Sequence, residues 1–216
     1  MEKELSADYF ARYDESDDAH FYVYPRLTAH IDDAAQKAVA QIFREELPAQ
    51  GHVLDLMSSY ISHIPSDLAL SGLVGLGLNE EELRNNRQLT DYLIHDLNRE
   101  PQLPFNDESF DGALCTVSVQ YLTNPVVVFR EVGRVLRPGA PFIVSFSNRC
   151  FPSKAVKIWV ATNDAQHLGL VKTFFELSGA FDHVRCLDRS PHRWLSDPLY
   201  AVVGRRVSAA VQTAEG

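Results

Sequence analysis

Through most of its length the 216-residue chain alternates short apolar runs with amphipathic stretches, and that alternation restricts the fold more than any other feature. The runs His52–Met57, Gly72–Leu78, Tyr92–Asp96, Phe110–Val117 and Phe142–Phe146 are each bounded by polar or turn-forming residues, as buried strands are. Between and around them lie helix signals. Ile31, Ala35, Ala38, Ile42 and Phe43 share a helical face in a stretch from Thr28 that ends before Pro48, with Asp32 and Asp33 in its first turn. Asn79 is a candidate N-cap for the acidic turn Glu80–Glu82, and Asn124-Pro125 opens a helix that Pro138-Gly139 stops. Further helices are expected over about 154–159 and 164–178, the latter ending at Gly179, and Val184–Leu187 and Leu199–Val203 close the chain as two more strands.

Strands joined by connections too long for hairpins predict an α/β fold: a doubly wound, mostly parallel seven-stranded sheet, covered on both faces, with an antiparallel C-terminal strand. In such a sheet ligands bind outside the carboxyl ends of the strands, where the strand order reverses. The loops after Leu56, Leu78, Asp96, Val117 and Phe146 are therefore the expected site.

Composition narrows the partners. A formal charge of -9, from 20 Lys+Arg against 29 Asp+Glu, repels a phosphate backbone, so nucleic acid is not expected. Three well-separated cysteines fit a reducing compartment, and neither a membrane-spanning run nor a signal peptide is read, so a cytoplasmic monomer or homodimer is expected. Residues 1–48 read as an N-terminal lid and helix packing on a main domain of residues 49–206, and residues 207–216 as a frayed tail.

Three linked blocks carry a family resemblance: Leu103-Pro-Phe-Asn-Asp-Glu-Ser-Phe-Asp111, Ala113-Leu-Cys-Thr-Val-Ser-Val-Gln-Tyr-Leu122 and Phe129-Arg-Glu-Val-Gly-Arg-Val-Leu-Arg-Pro-Gly139. In this order and spacing they resemble the class I S-adenosylmethionine (SAM)-dependent methyltransferases, in particular the small single-domain group that includes the ubiquinone and menaquinone C-methyltransferases. The resemblance implies SAM as cofactor. It places Asp55 at the end of the first strand, Asp96 with Leu97 at the adenine edge, and Val117 beside the cofactor at the end of the fourth strand. Two departures stand out. Met57, Ser59 and Ile61 occupy the turn where the family has glycines, leaving Ser58 and Ser59 as donors, and Gly77 stands where the family has a ribose-binding acid, with Asn79 two residues on as its substitute.

Around the expected methyl group the candidates are His63 and Tyr121 for catalysis, with Gln120, Asn148 and Arg149 for the substrate. The aromatic, polar N-terminal segment adds Tyr22, Tyr24, Arg26 and His30 as substrate-pocket residues, the tyrosine rings also being suited to a sulfonium through cation–π attraction. Direct transfer needs no covalent intermediate, so Cys150 is not read as a nucleophile. With no strong base evident, a small thiol or imidazole-thiol acceptor fits best, since thiols ionise near pH ~8.5. A scaffold or partner subunit that keeps the fold but has lost the cofactor is the alternative. A nicotinamide-dependent oxidoreductase is disfavoured, because no G-x-G-x-x-G turn follows the first strand.

Overall fold

The computed structural model describes residues 5–192 and 195–208. Most of the expected tail, from residue 209 on, lies outside them. In chain order the helices and strands are α1 (Asp18–Phe21), α2 (Asp33–Glu46), β1 (His52–Leu56), β2 (Gly72–Gly77), α3 (Glu80–Asn85), β3 (Asp91–Ile94), β4 (Gly112–Thr116), α4 (Pro125–Val135), β5 (Pro141–Phe146), α5 (Lys157–Val160), α6 (Asp164–Ser178), β6 (Phe181–Asp188) and β7 (Tyr200–Arg206). The sheet order is β3-β2-β1-β4-β5-β7-β6, with β7 antiparallel to both of its neighbours. The seven-stranded α/β expectation holds. The order reverses between β1 and β4, which opens a crevice at their carboxyl ends.

Side-chain alternation along the strands divides the core. Leu54, Leu56, Ala113, Cys115, Phe142 and Val144 face α4 and α6, where Phe129 meets Phe142, Phe174 and Phe175 edge-on. Val53, Leu73, Leu114 and Ile143 face Ala35, Val39, Ile42 and Phe43 of α2.

Local chemistry sets the helix ends. α2 starts at Asp33 rather than at Thr28, because the Asp32 carboxylate accepts from Ala35 N at 2.8 Å and is thereby the N-cap. α6 carries a full capping box from Asn163 and Gln166, and ends where Gly179 adopts φ 66°. The helix expected from Lys154 begins three residues later, since Val156 N is drawn to Gln120 O at 3.0 Å.

Residues 57–71, between β1 and β2, contain no helix. Pro65 disfavours a helical Ile64, and Leu68 N to Pro65 O closes a single turn. Ile64, Leu68 and Leu70 pack on the α2 face where a helix would lie. Side-chain amides take over the missing ladder: Asn86 Nδ2 donates to Ser59 O and Ser62 Oγ, both at 2.9 Å, while Gln88 accepts from Ser62 N at 3.1 Å and donates to Ile64 O at 2.6 Å.

Candidate active site

The crevice at the carboxyl ends of β1, β2 and β4 opens into a cavity of about 470 Å³, within the range that small-molecule and cofactor sites occupy, ~300–1,000 Å³. Its floor is the β1 turn. The Asp55 carboxylate is buried and accepts from Ser58 Oγ at 2.7 Å, and Ser58 N donates to Leu76 O at 2.8 Å, so the turn folds across the end of β2. This close approach depends on Gly77: a Cβ there would stand 2.3 Å from Ser58 O. The turn itself, though it lacks glycine, takes the conformation glycine favours, with Met57 at φ 52°. His63 (φ 59°) and Val117 (φ 46°) are also left-handed and also line the cavity. For a β-branched residue such as Val117 this is a strained state, of order 1–3 kcal/mol, and strain of this kind clusters at functional sites.

All nine residues expected at the cofactor, Asp55, Met57, Ser58, Ser59, Gly77, Asn79, Asp96, Leu97 and Val117, line this one cavity, as do His63, Tyr121, Tyr22, Arg26, His30, Asn148 and Arg149. Two expected residues do not. Tyr24 points into solvent, 79% exposed, because the N-terminal strap, residues 5–31 ahead of α2, turns outward over Val23–Pro25. Gln120 is fully buried beneath the cavity, its amide donating to Val117 O at 2.9 Å.

Other roles differ from expectation. The Asn79 side chain is already committed, since Oδ1 caps α3 through Glu82 N and Nδ2 holds Tyr22 O at 2.7 Å, so it fastens the N-terminal strap rather than presenting a free amide at the ribose position. The carboxylate on that wall is Glu82, bonded to Ser59 Oγ and to Arg26 N. The Arg26 guanidinium lies over one face of Phe21 and one of Tyr22, at 4.7 and 5.4 Å from the ring centres. Arg149 stands at the rim, 3.8 Å from Asp197.

The strap is fixed from below by charges that sequence reasoning missed. Lys154 is completely buried, with Asp18 at 3.1 Å and Asp14 at 3.3 Å. Arg12 binds both oxygens of Asp18 at 2.8 Å, and Asn98 donates to the same carboxylate at 2.9 Å. Burial pushes the Asp18 carboxyl up, but these hydrogen bonds outweigh it and hold the group below the ordinary value.

Burial governs most ionisable groups here. It presses His63 down to about 4, with His30 adding to the effect, and it lowers His30 as well. It raises the phenol of Tyr22 and lifts that of Tyr121 to about 12, and the Tyr121 hydroxyl accepts from Phe151 N at 2.9 Å. It also lifts Asp55 to about 6 against bonds from Ser62 and Ser58. Because the folded value of Asp55 lies above the unfolded one, its stabilising contribution is complete below pH 3.8 and is lost as pH rises through 6. Asp55→Asn is therefore expected to be more stable than the wild type above pH 7, by on the order of 3 kcal/mol, and equal to it near pH 3.5. Urea unfolding of both proteins at the two pH values checks this, with the His63 contribution common to both.

Residues 66–144 match a family model described as a methyltransferase domain. Over 78 residues the chain is 38% identical to a methyltransferase, phqN, of Penicillium fellutanum, a stretch that is 33% of this chain and 24% of that one. Over 178 residues it is 22% identical to a malonyl-[acyl-carrier protein] O-methyltransferase of Marinomonas sp., covering 77% of this chain and 62% of that one. It thus spans less than two thirds of either relative. Among solved structures, an S-adenosylmethionine-dependent methyltransferase from Mesorhizobium loti aligns with a TM-score of 0.55 at 20% identity, over 78% of this chain and 98% of that one. Over residues 66–144 the chain is thus similar to a methyltransferase domain, and its strand order and the solved structures show that it has the fold of S-adenosylmethionine-dependent methyltransferases.

Proposed function

We propose that the cavity binds SAM and that the protein transfers its methyl group to a small acceptor, a thiol or imidazole-thiol compound. The observation that carries this reading is the convergence of the β1 turn, Gly77 and the Asp96–Leu97 turn on one cavity of cofactor size. The residues present fit the cofactor. Gly77 leaves the cradle open, the Asp96 carboxylate is held in place by Asn98 N at 2.9 Å, and Thr116, whose buried Oγ1 has no partner among the described residues, lines the cavity. When bound, SAM supplies an electrophilic methyl group on a sulfonium.

The chain's own residues then position the acceptor and exclude water. Tyr121, Asn148 and Phe151 line the cavity beyond the ends of β4 and β5, and Phe21 and His30 of the strap pack edge-on against Phe151. The only histidines lining the reaction space among the described residues besides His95 are His30 and His63, both held neutral by burial, while the tyrosines are held protonated and Lys154 is paired. This environment is weakly basic, which favours an acceptor that loses its proton readily, as a thiol does. The expectations of a cytoplasmic location and of a monomer or homodimer stand as part of the same proposal; among the described residues no helix is long and apolar enough to cross a membrane.

Calorimetric titration with S-adenosylhomocysteine (SAH) tests the cofactor assignment. Saturable binding is expected, with Asp96→Ala weakening it about tenfold, ~1.4 kcal/mol. No binding at millimolar SAH would instead point to a scaffold, and an unchanged affinity in Asp96→Ala would remove Asp96 from the adenine edge.

A further inference from the structure

Arg26 is a cation that the folded strap leaves without a full set of partners; Arg12 Nε also lacks a hydrogen bond, but Glu15 stands 3.7 Å from it. Its guanidinium carbon lies 4.7 Å from the ring centre of Phe21, 5.1 Å from that of Phe151 and 5.4 Å from that of Tyr22, so three rings hold the planar group in one orientation. One arm, Nη2, donates to Phe21 O at 3.2 Å. The other, Nη1, is buried and has no hydrogen-bond partner among the described residues, although the residue lines the cavity. A buried unsatisfied donor costs ~1–3 kcal/mol, and more when it is charged. The neighbouring acids are already engaged: Glu82 with Ser59 Oγ and the Arg26 backbone, Asp18 with Arg12, Lys154 and Asn98. An anion brought by a ligand would complete the set.

Its position says which end of the ligand. The Phe151 ring that stacks on the guanidinium also lies against Tyr121, 6.1 Å between centres, and both follow the strands that border the acceptor side, β4 and β5. The turn expected to receive the methionyl end of the cofactor, Asp55–Ser59, reaches Arg26 at its backbone, through Glu82, which accepts from Ser59 Oγ and from Arg26 N, whereas the guanidinium turns toward Phe151; Ser58 and the Asp55 carboxylate pair with each other.

Resting on the methyltransferase reading of the site, we propose that Arg26 is the receptor for a carboxylate on the methyl acceptor, so that the substrate is a small organic acid rather than a neutral thiol, phenol or amine. A planar guanidinium gripped by aromatic faces suits a carboxylate, which its free arm meets with a charge-assisted hydrogen bond. The rigid setting also explains why the strap packs aromatic side chains around a cation, when a solvated arginine would need none.

The test uses the full-length protein saturated with SAH and two probe pairs, 3-mercaptopropionate with its amide and imidazole-4-acetate with its amide, with binding read by calorimetry. At least one acid is expected to bind tenfold or more tightly than its amide. Arg26→Gln should abolish that preference, and Arg26→Lys should keep only part of it, with SAH affinity changed less than threefold in both. Equal binding of acid and amide by the wild type overturns the proposal. So does a tenfold loss of SAH affinity in Arg26→Gln with 5′-methylthioadenosine binding unchanged, which would assign Arg26 to the cofactor's own carboxylate. If Arg26→Gln does not fold, the wild-type pairs and Arg26→Lys decide the matter. Failure of the wild type to bind SAH at all overturns the methyltransferase reading instead, so the two failures are distinct.

Discussion

Asp18→Ala should destabilise the protein by about 3–5 kcal/mol, a large fraction of the ~5–15 kcal/mol that holds a domain of this kind together. Asp18 is the common acceptor for Arg12, Lys154 and Asn98, and Lys154 has no exposed surface. Removing the carboxylate leaves a buried ammonium with only Asp14 and the carbonyl and hydroxyl of Ser16 as partners, and a guanidinium without its principal one. The desolvation already incurred by both cations is then no longer offset. Urea unfolding at pH 7 measures the loss, and a value under 1 kcal/mol would show that the cluster does not hold the strap. The triple variant Arg12→Met, Asp18→Leu, Lys154→Met should recover much of it, because a buried ionic cluster replaced whole by apolar groups is often neutral. Acid should act like the alanine variant. The folded value of Asp18 is depressed, so its contribution is present above the ordinary carboxylate range and is lost as pH falls through the folded value, below 3.8.

Gly77→Ala is the second large expectation: a loss of SAH affinity of about a hundredfold, ~2.7 kcal/mol, with the sheet still folded. The new methyl would lie 2.3 Å from the carbonyl oxygen of Ser58 and 3.3 Å from a Leu83 methyl. The side chain of Leu83 can move aside. The Ser58 carbonyl is backbone and cannot move alone, because Ser58 N is bonded to Leu76 O and Ser58 Oγ to Asp55. The turn must therefore shift as a unit, and with it Asp55, Met57 and Ser59 move away from the rest of the cavity. Gly169→Ala, where an added Cβ meets nothing within 4 Å, is the control and should leave SAH binding unchanged. If calorimetry finds Gly77→Ala binding SAH as tightly as the control, the turn is not the cofactor cradle.

These two positions mark how far the sequence could be read. Gly77 was visible as a departure from a family pattern, yet its reason was not, since the atom that forbids a side chain belongs to Ser58, nineteen positions earlier and on another strand's turn. Strands and long helices were legible because their signals are local: apolar runs such as Phe142–Phe146, the Asn124-Pro125 start of α4 and the left-handed Gly179 each act within a few residues. The capping role of Asn79 was legible for the same reason, whereas its second bond, to Tyr22 O, spans 57 positions and displaced the expected ribose role. Lys154 read as an ordinary helix-start residue, and nothing near it in sequence announces that Asp14 and Asp18 will enclose it. Tyr22 and Tyr24 were equivalent as residue types, and only the outward turn of the strap separates the one against the cavity from the one in water.

The helix-free connection between β1 and β2 determines how the site opens. A helix in that place would carry its own ladder and could fray or re-form independently. Residues 57–71 instead take part of their hydrogen bonding from Asn86 and Gln88, which lie beyond α3 at the entry to the edge strand β3. The β1 turn, α3 and the sheet edge are thereby joined by hydrogen bonds, and their amide protons are expected to exchange together rather than in sequence, which native-state hydrogen exchange checks. In this fold the wall around the cofactor cannot loosen without loosening the margin of the sheet, and a ligand that steadies one steadies the other.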